Sequence, residues 1–375
     1  MSATARQVLL VTTAVAAAAA VVPAPTAAAP AAKDVDAVTA KAYAPLKALQ
    51  NEDGSFAPKL GGPGVTALVA AGLIRTGMGP TDPVVAKALA YLESNVQKDG
   101  GIYNQRLANY TTCVALMTFQ EANKDGKYDK VIAGASAFLK GLQQGGDVAE
   151  SDSKYGGVGY DGRGRPDLSN THFFVDALLA SGVSKDDPAI KKAIVYVGRC
   201  QNLKGEFNPL PFAAKATADD KGGFVYTPSE AEGKGKGGKN VTPDGGLRSY
   251  GSMSYAGLKS LLYAGVGKDD PRVKEAVGWI RRHYTVAENP GQRDAGLYYY
   301  YHLFAKGLDA LGEDRFLDAK GVRHDWRQDL FNELRRRQGT AGTWVNSNGA
   351  FLENTPELST AFALLALSYC KPEPK

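Results

Sequence analysis

The chain has 375 residues, 44 Lys and Arg against 39 Asp and Glu, and 44% hydrophobic residues, which is ample for one large core. Its net charge of +5 is spread along the length, too diffuse to argue for nucleic acid as a partner. Three cysteines, Cys113, Cys200 and Cys370, offer neither a dense disulfide framework nor a zinc-knuckle spacing.

The chain opens with features of an export signal. Arg6 supplies a positive start, Val8 to Val22 is an unbroken run of apolar residues and Thr, and Ala27 to Ala29 are small, as a signal peptidase requires. The run is short for a membrane span, which needs roughly 20 residues. Residues 1–32 are therefore expected to be a signal peptide, leaving 33–375 as one exported domain with no transmembrane helix after cleavage. A retained N-terminal anchor is the rival.

A repeat follows, spaced about 46 residues apart in its first copies. A helix ending in Gln leads through a short polar or glycine segment to an aromatic residue and then a second helix. The motif stands as LQNEDGSF at 49–56, VQKDGGIY at 96–103, and Gln143 with GGVGY at 156–160. Looser copies pass through Gln201 with GGFVY at 222–226, His283 with AGLYY at 295–299, and Gln338 with AGTW at 341–344. The fourth copy is enlarged by a segment from Leu203 to Leu247, whose Gly and Lys content predicts the poorest local order in the domain. It contains the basic cluster Lys234 to Lys239, which has no interleaved aromatic and reads as a solvated loop.

Each copy supplies two unlike helices. One set begins at Asp82 with Pro83, Asp187 with Pro188, and Asp270 with Pro271. The aspartate caps free amides and the proline occupies a first-turn position that needs no N–H. The helix after Pro271 is amphipathic, with Val273, Ala276, Val277 and Ile280 on one stripe. The other set, including VTALVAAGL at 65–73, YTTCVALMTF at 110–119 and STAFALLAL at 359–367, is apolar or small on nearly every face. Such helices must be surrounded. The expected fold is all-α, an (α/α)6 toroid of six helix pairs with an apolar inner ring and an amphipathic outer ring. The inner-helix N-termini and the Gly–aromatic turns should gather at one mouth of a central cavity.

QNEDGSF at 50–56, GGVGYDGRGRPDLSNTHFFVDAL at 156–178 and AGTWVNSNGAFLENTPELSTAFALLAL at 341–367 resemble the repeats shared by squalene–hopene cyclases, oxidosqualene cyclases and protein prenyltransferase β subunits. The resemblance covers 42–367 and implies the toroid more firmly than any one activity. Cyclases of this type protonate an alkene with the middle aspartate of a DxDD motif, which must be a strong acid held dry. Here the comparable residues are Asp167, Leu168, Ser169 and Asn170, so a serine stands where the proton donor would be. The prenyltransferase zinc site implies a DxC pair, and the chain has none. No cofactor and no metal site are expected. The aspartate pairs at 186–187 and 269–270 read as helix caps, and EANKDGKYD at 121–129 as a loop, because Ile132 replaces the closing Glu of a calcium loop.

Polar residues near the inner-helix starts are the candidate site. Asp167 and His172 are the candidate catalytic pair, a carboxylate and an imidazole able to exchange a proton near neutrality. Tyr110, Asn170, Asp176, Tyr250, Tyr298, Tyr301, His302 and Glu357 are the candidate cavity residues. The four tyrosines 298–301 turn through about 300° of helix, so one or two face the lumen and the rest wedge between the rings. An aromatic cavity suits an isoprenoid or other hydrophobic small molecule. The alternatives are a carbohydrate-active toroid, since aromatics also stack on sugar rings, and a non-catalytic scaffold for a protein partner.

Overall fold

The computed structural model describes residues 29–162, 164–231 and 240–371; the candidate signal segment lies almost wholly outside them. Helices α1 (Ala32–Ala40), α2 (Tyr43–Leu49), a single turn α3 (Pro58–Gly61), α4 (Pro63–Arg75), α5 (Pro83–Ser94), α6 (Ala108–Ala122) and α7 (Asp129–Leu142) form the first half. The second half holds α8 (Leu168–Ala180), α9 (Pro188–Arg199), α10 (Gly251–Tyr263), α11 (Pro271–Arg282), α12 (Leu297–Leu311), α13 (Trp326–Arg337) and α14 (Pro356–Ser368). The even-numbered helices from α4 onward are the apolar set. Each packs against the next, and α14 returns to α4, so the inner ring closes. The paired helices α1–α2, with α5, α7, α9, α11 and α13, stand outside. This is the (α/α)6 toroid expected from the sequence.

The helix starts form as the aspartate–proline pairs require. Asp82 accepts from Val84 N at 2.9 Å, Asp187 from Ala189 N at 2.8 Å and Asp270 from Arg272 N at 2.9 Å. Cys113, Cys200 and Cys370 are all buried free thiols.

In four of the six copies the repeats interlock through the recurring Gln of the motif; Gln97 of the second copy bonds Asn95 O and Tyr103 O instead. Gln50 Nε2 bonds the carbonyl of Val84, Gln143 that of Ala189, Gln201 that of Arg272 and Gln338 that of Val38. In each case the acceptor lies in or beside an outer helix of the following repeat, and the Gln338 bond joins the last repeat to the first. The turn glycine lies against the same helices. A Cβ on Gly156, at φ +78°, would sit 1.9 Å from Lys192 O, and Gly54, Gly222 and Gly342 make the same kind of approach. The next residues point inward, where the backbone N–H groups of Phe56, Ile102, Val158, Phe224 and Trp344 donate to Thr66, Thr112, Thr171, Ser254 and Thr360 of the inner helices.

One expectation is corrected, and another falls partly outside the described residues. In the fifth copy, AGLYY is not a turn: Leu297 to Tyr301 are already helical, with Gly296 as the left-handed N-cap, and His283 bonds Trp279 O and Asp219 instead of the next outer helix. The 203–247 segment is not loosely held across its described part. Asn208, Phe212, Phe224, Thr227, Thr242 and Leu247 are buried, and Asn208 Nδ2 bonds Arg199 O and Gln201 O. Its Gly/Lys run, 232–239, lies outside the described residues.

Gly156→Ala is expected to cost several times more stability than Gly182→Ala, as read by urea denaturation. Gly182 has φ +84° but nothing within 4 Å of an added Cβ, so it should lose only the left-handed backbone cost of about 1–2 kcal/mol. Equal losses would show that the inter-repeat approach does not matter.

Candidate functional site

The inner-helix N-termini do gather at one face, where those of α6, α8, α10 and α12 are each covered by a loop from the following repeat. Asn109 N donates to Tyr160 O, Leu168 N to Tyr226 O, Gly251 N to Pro290 O and Tyr299 N to Glu353 Oε1. Among the described residues, all five non-glycine positions with positive φ, Ala57, Leu107, Arg293, Phe351 and Leu352, lie in loops entering these helices. Such backbone is retained only where its surroundings hold it.

Asp167 sits at this mouth as the N-cap of α8. It is buried, and its Oδ1 accepts from Asn170 N at 2.8 Å, while Asn170 Nδ2 bonds both carboxylate oxygens at 3.1 and 2.9 Å. Burial pushes the carboxyl up to about 6, and Asn170, Tyr226 and Arg165 pull it back only in part. Asn109 Nδ2 reaches the side-chain oxygen of Asn170 at 3.3 Å. Tyr250, the N-cap of α10, is buried beside this group, and burial raises its hydroxyl well above the ordinary value.

His172 is not Asp167's partner. Its Nε2 lies 2.6 Å from Tyr299 OH, which is 2.8 Å from Ser169 Oγ. Its Nδ1 lies 3.4 Å from Lys259 Nζ and 4.0 Å from Asp176 Oδ2. Asp176 in turn accepts from Lys259 Nζ at 2.5 Å and Lys306 Nζ at 2.8 Å. Burial alone would raise Asp176, but the two ammonium groups hold it well below the usual carboxylate range. Burial, reinforced by Lys259, lowers His172 to about 3, so it is neutral. Burial brings Lys259 down to about 8, whereas Asp176 more than offsets burial at Lys306 and keeps it charged. A charged lysine donates and cannot accept, which leaves Nδ1 bare and the proton on Nε2. Every bond then runs one way: Lys259 to His172, His172 to Tyr299, Tyr299 to Ser169.

The remaining candidates divide. Tyr110 stands edge-on to Phe173 with centroids 5.3 Å apart, at the mouth. Tyr298 and Tyr301 do not face the lumen. Tyr301 OH donates to Val286 O at 2.8 Å, and the charges that act on both rings are Glu333 and Arg337 of outer helix α13. Tyr299 is the lumen tyrosine, with Phe173, Phe351 and Phe362 around it. His302 is buried between Phe362 and Tyr369, and its Nδ1 has no hydrogen-bond partner. Glu357 is half-buried in the first turn of α14. The engaged carboxylate there is Glu353, which accepts from Tyr299 N and Asn346 Nδ2, each at 2.8 Å. Asp176 lies at the opposite end of α8 from Asp167. There the C-terminal ends of the inner helices line an open cavity of about 710 Å³, on the face away from the Gly–aromatic turns expected to surround it. Lys259, Lys306 and Glu353 were not singled out from the sequence, and Ser169 only as a departure from DxDD. The only local signal was a charged residue inside an otherwise apolar inner helix, LKSLL at 258–262 and FAKGL at 304–308.

Residues 61–219 match the squalene-hopene cyclase C-terminal domain. The type II terpene cyclase MstE from Scytonema superposes with a TM-score of 0.53 at 14% identity, covering 90% of this chain and 98% of that one. The fold is that of the terpenoid-cyclase toroids. A polysaccharide lyase (TM-score 0.51, 11% identity, 90% and 96% covered) and a D-mannose isomerase (0.52, 11%, 90% and 97%) share it, so the toroid by itself does not choose a chemistry. No curated protein matches the chain in sequence.

The Asp167 carboxyl has its own pH signature. A group whose folded pKa lies above its unfolded value, here 3.8 rising to about 6, stabilises below the unfolded value and loses that contribution as pH rises through the folded one. Asp167→Asn removes the ionisation and keeps a capping side chain. The stability of the natural protein relative to this variant is expected to fall between pH 4 and pH 7 by up to roughly 3 kcal/mol, measured by thermal melts. Parallel curves would contradict it.

Proposed function

We propose that this toroid binds an isoprenoid or other lipid at the aromatic mouth of its inner ring, and that it does so without the alkene protonation of DxDD cyclases. The observation that carries the reading is the aromatic cluster of Tyr110, Phe173, Tyr299 and Phe362, with Ser169 bonded to Tyr299 and with Tyr160 44% and Phe351 49% exposed at the rim. Flat rings suit alkenes and methyl groups. Asp167 is spent on capping α8 and on Asn170, and a carboxyl near 6 is far too weak an acid for an isolated alkene. Ser169, fed by Tyr299 and His172, offers the polar end of a ligand a polarised hydroxyl. The N-terminal segment supports export as the setting.

A second reading is carbohydrate chemistry. It is favoured by one observation, the 2.6 Å contact between Tyr299 OH and His172 Nε2, a pairing through which a hydroxyl can exchange a proton with a substrate.

Mass spectrometry of the organic extract of the purified protein is expected to find an isoprenoid or related lipid, and geranylgeraniol to raise the Tm of the delipidated chain. Phe351→Ala at the rim and Tyr299→Ala within should each weaken binding, the latter by about tenfold. An empty extract with no thermal shift contradicts the lipid reading, and a thermal shift with an oligosaccharide instead favours the second.

A further inference from the structure

The cavity at the other face has a chemistry of its own. Its wall includes Met117, Leu179 and Leu262, and Arg75, Lys185 and Lys306 face it together with Glu121 and Asp176. Arg75 Nε is paired with Glu121 at 2.6 Å. Asp176 serves both Lys306 and, beneath it, the fully buried Lys259. One carboxylate cannot neutralise two ammonium groups, and Lys185 adds a cation at the rim. A helix C-terminus favours cations, but only within its last turn. Lys259 and Lys306 stand a full turn or more before the ends of α10 and α12. A buried positive excess beside an apolar wall is costly unless an anion meets it.

We infer that this cavity binds a small amphipathic anion, a carboxylate or phosphate monoester on an apolar body, with the head on Lys306 and Arg75 and the body against Met117, Leu179 and Leu262. The head lies toward Lys306 rather than Glu121, whose buried Oε2 has no donor and repels an anion. Arg75 is held over the Tyr369 ring, 5.0 Å from its centroid, which fixes its approach. This site is independent of the aromatic mouth, from which it is separated by the His172–Lys259–Asp176 layer.

Isothermal titration calorimetry on the exported-length chain separates the cases, with octanoate, octyl phosphate, octanol and inorganic phosphate as probes. At least one of the two amphipathic anions should bind, and octanol and inorganic phosphate should each bind more weakly by about tenfold or more. Lys306→Met should weaken the anion about tenfold, and Arg75→Gln, at a partly exposed position that tolerates change, by several-fold. Phe351→Ala at the opposite mouth should leave it unchanged, so that failure of the lipid reading and failure of this one are distinct. The inference is overturned if neither amphipathic anion binds, if octanol binds as tightly, if Arg75→Gln and Lys306→Met have no effect, or if Phe351→Ala abolishes binding.

Discussion

Everything in this molecule depends on how closely one repeat can approach the next. The turn glycine meets a carbonyl of the following outer helix with no room for a side chain, and a glutamine amide fastens the same turn to that helix. Six inner helices that are apolar on nearly all faces each need two inner neighbours and an outer cover. An open arc would leave the first and last exposed, and the Gln338 bond to Val38 O with the contact of α14 on α4 removes that exposure. Because the lock is backbone to side chain and recurs around the ring, it also fixes where the inner-helix N-termini stand, and so the geometry of the mouth.

Inside the ring, two buried lysines meet one carboxylate and one imidazole in a single layer. Asp176, Lys259, Lys306 and His172 are all buried, and the order of their bonds follows from which groups can only donate. The cationic excess at one end polarises His172 and Tyr299 toward Ser169 at the other. The two faces therefore differ in kind: an aromatic mouth with a neutral hydroxyl, and an apolar cavity with a positive floor. The carboxylate at the DxDD-like position takes no part in this layer. It is a helix cap whose acidity has been weakened by burial.

The sequence carried the fold because its signals are local. An aspartate before a proline caps whatever helix follows, and the Gln–turn–Gly unit repeats its bond to the next outer helix at Gln50, Gln143, Gln201 and Gln338. The fifth copy departs from the others because His283 stands in place of Gln and Gly296 there is the N-cap of a helix. The site was less legible. Four consecutive tyrosines cover a whole helix turn, and nothing within them says that Tyr299 faces in while Tyr298 and Tyr301 face α13. The partners of Asp176 lie 83 and 130 residues away, so only closure of the ring brings them together. Asp167 and His172 are close in sequence, yet each is held by different neighbours, which spacing alone does not reveal.

The protonation of His172 is the point on which the lumen chemistry turns. Nitrogen-15 NMR of the histidine-labelled protein, with His172 assigned by its loss in His172→Gln, reads it directly between about pH 5 and pH 7, where Lys259 is charged. A neutral ring carrying its proton on Nε2 throughout that range is the expected result. An imidazolium, or a neutral ring protonated on Nδ1, would contradict the one-way chain from Lys259 to Ser169.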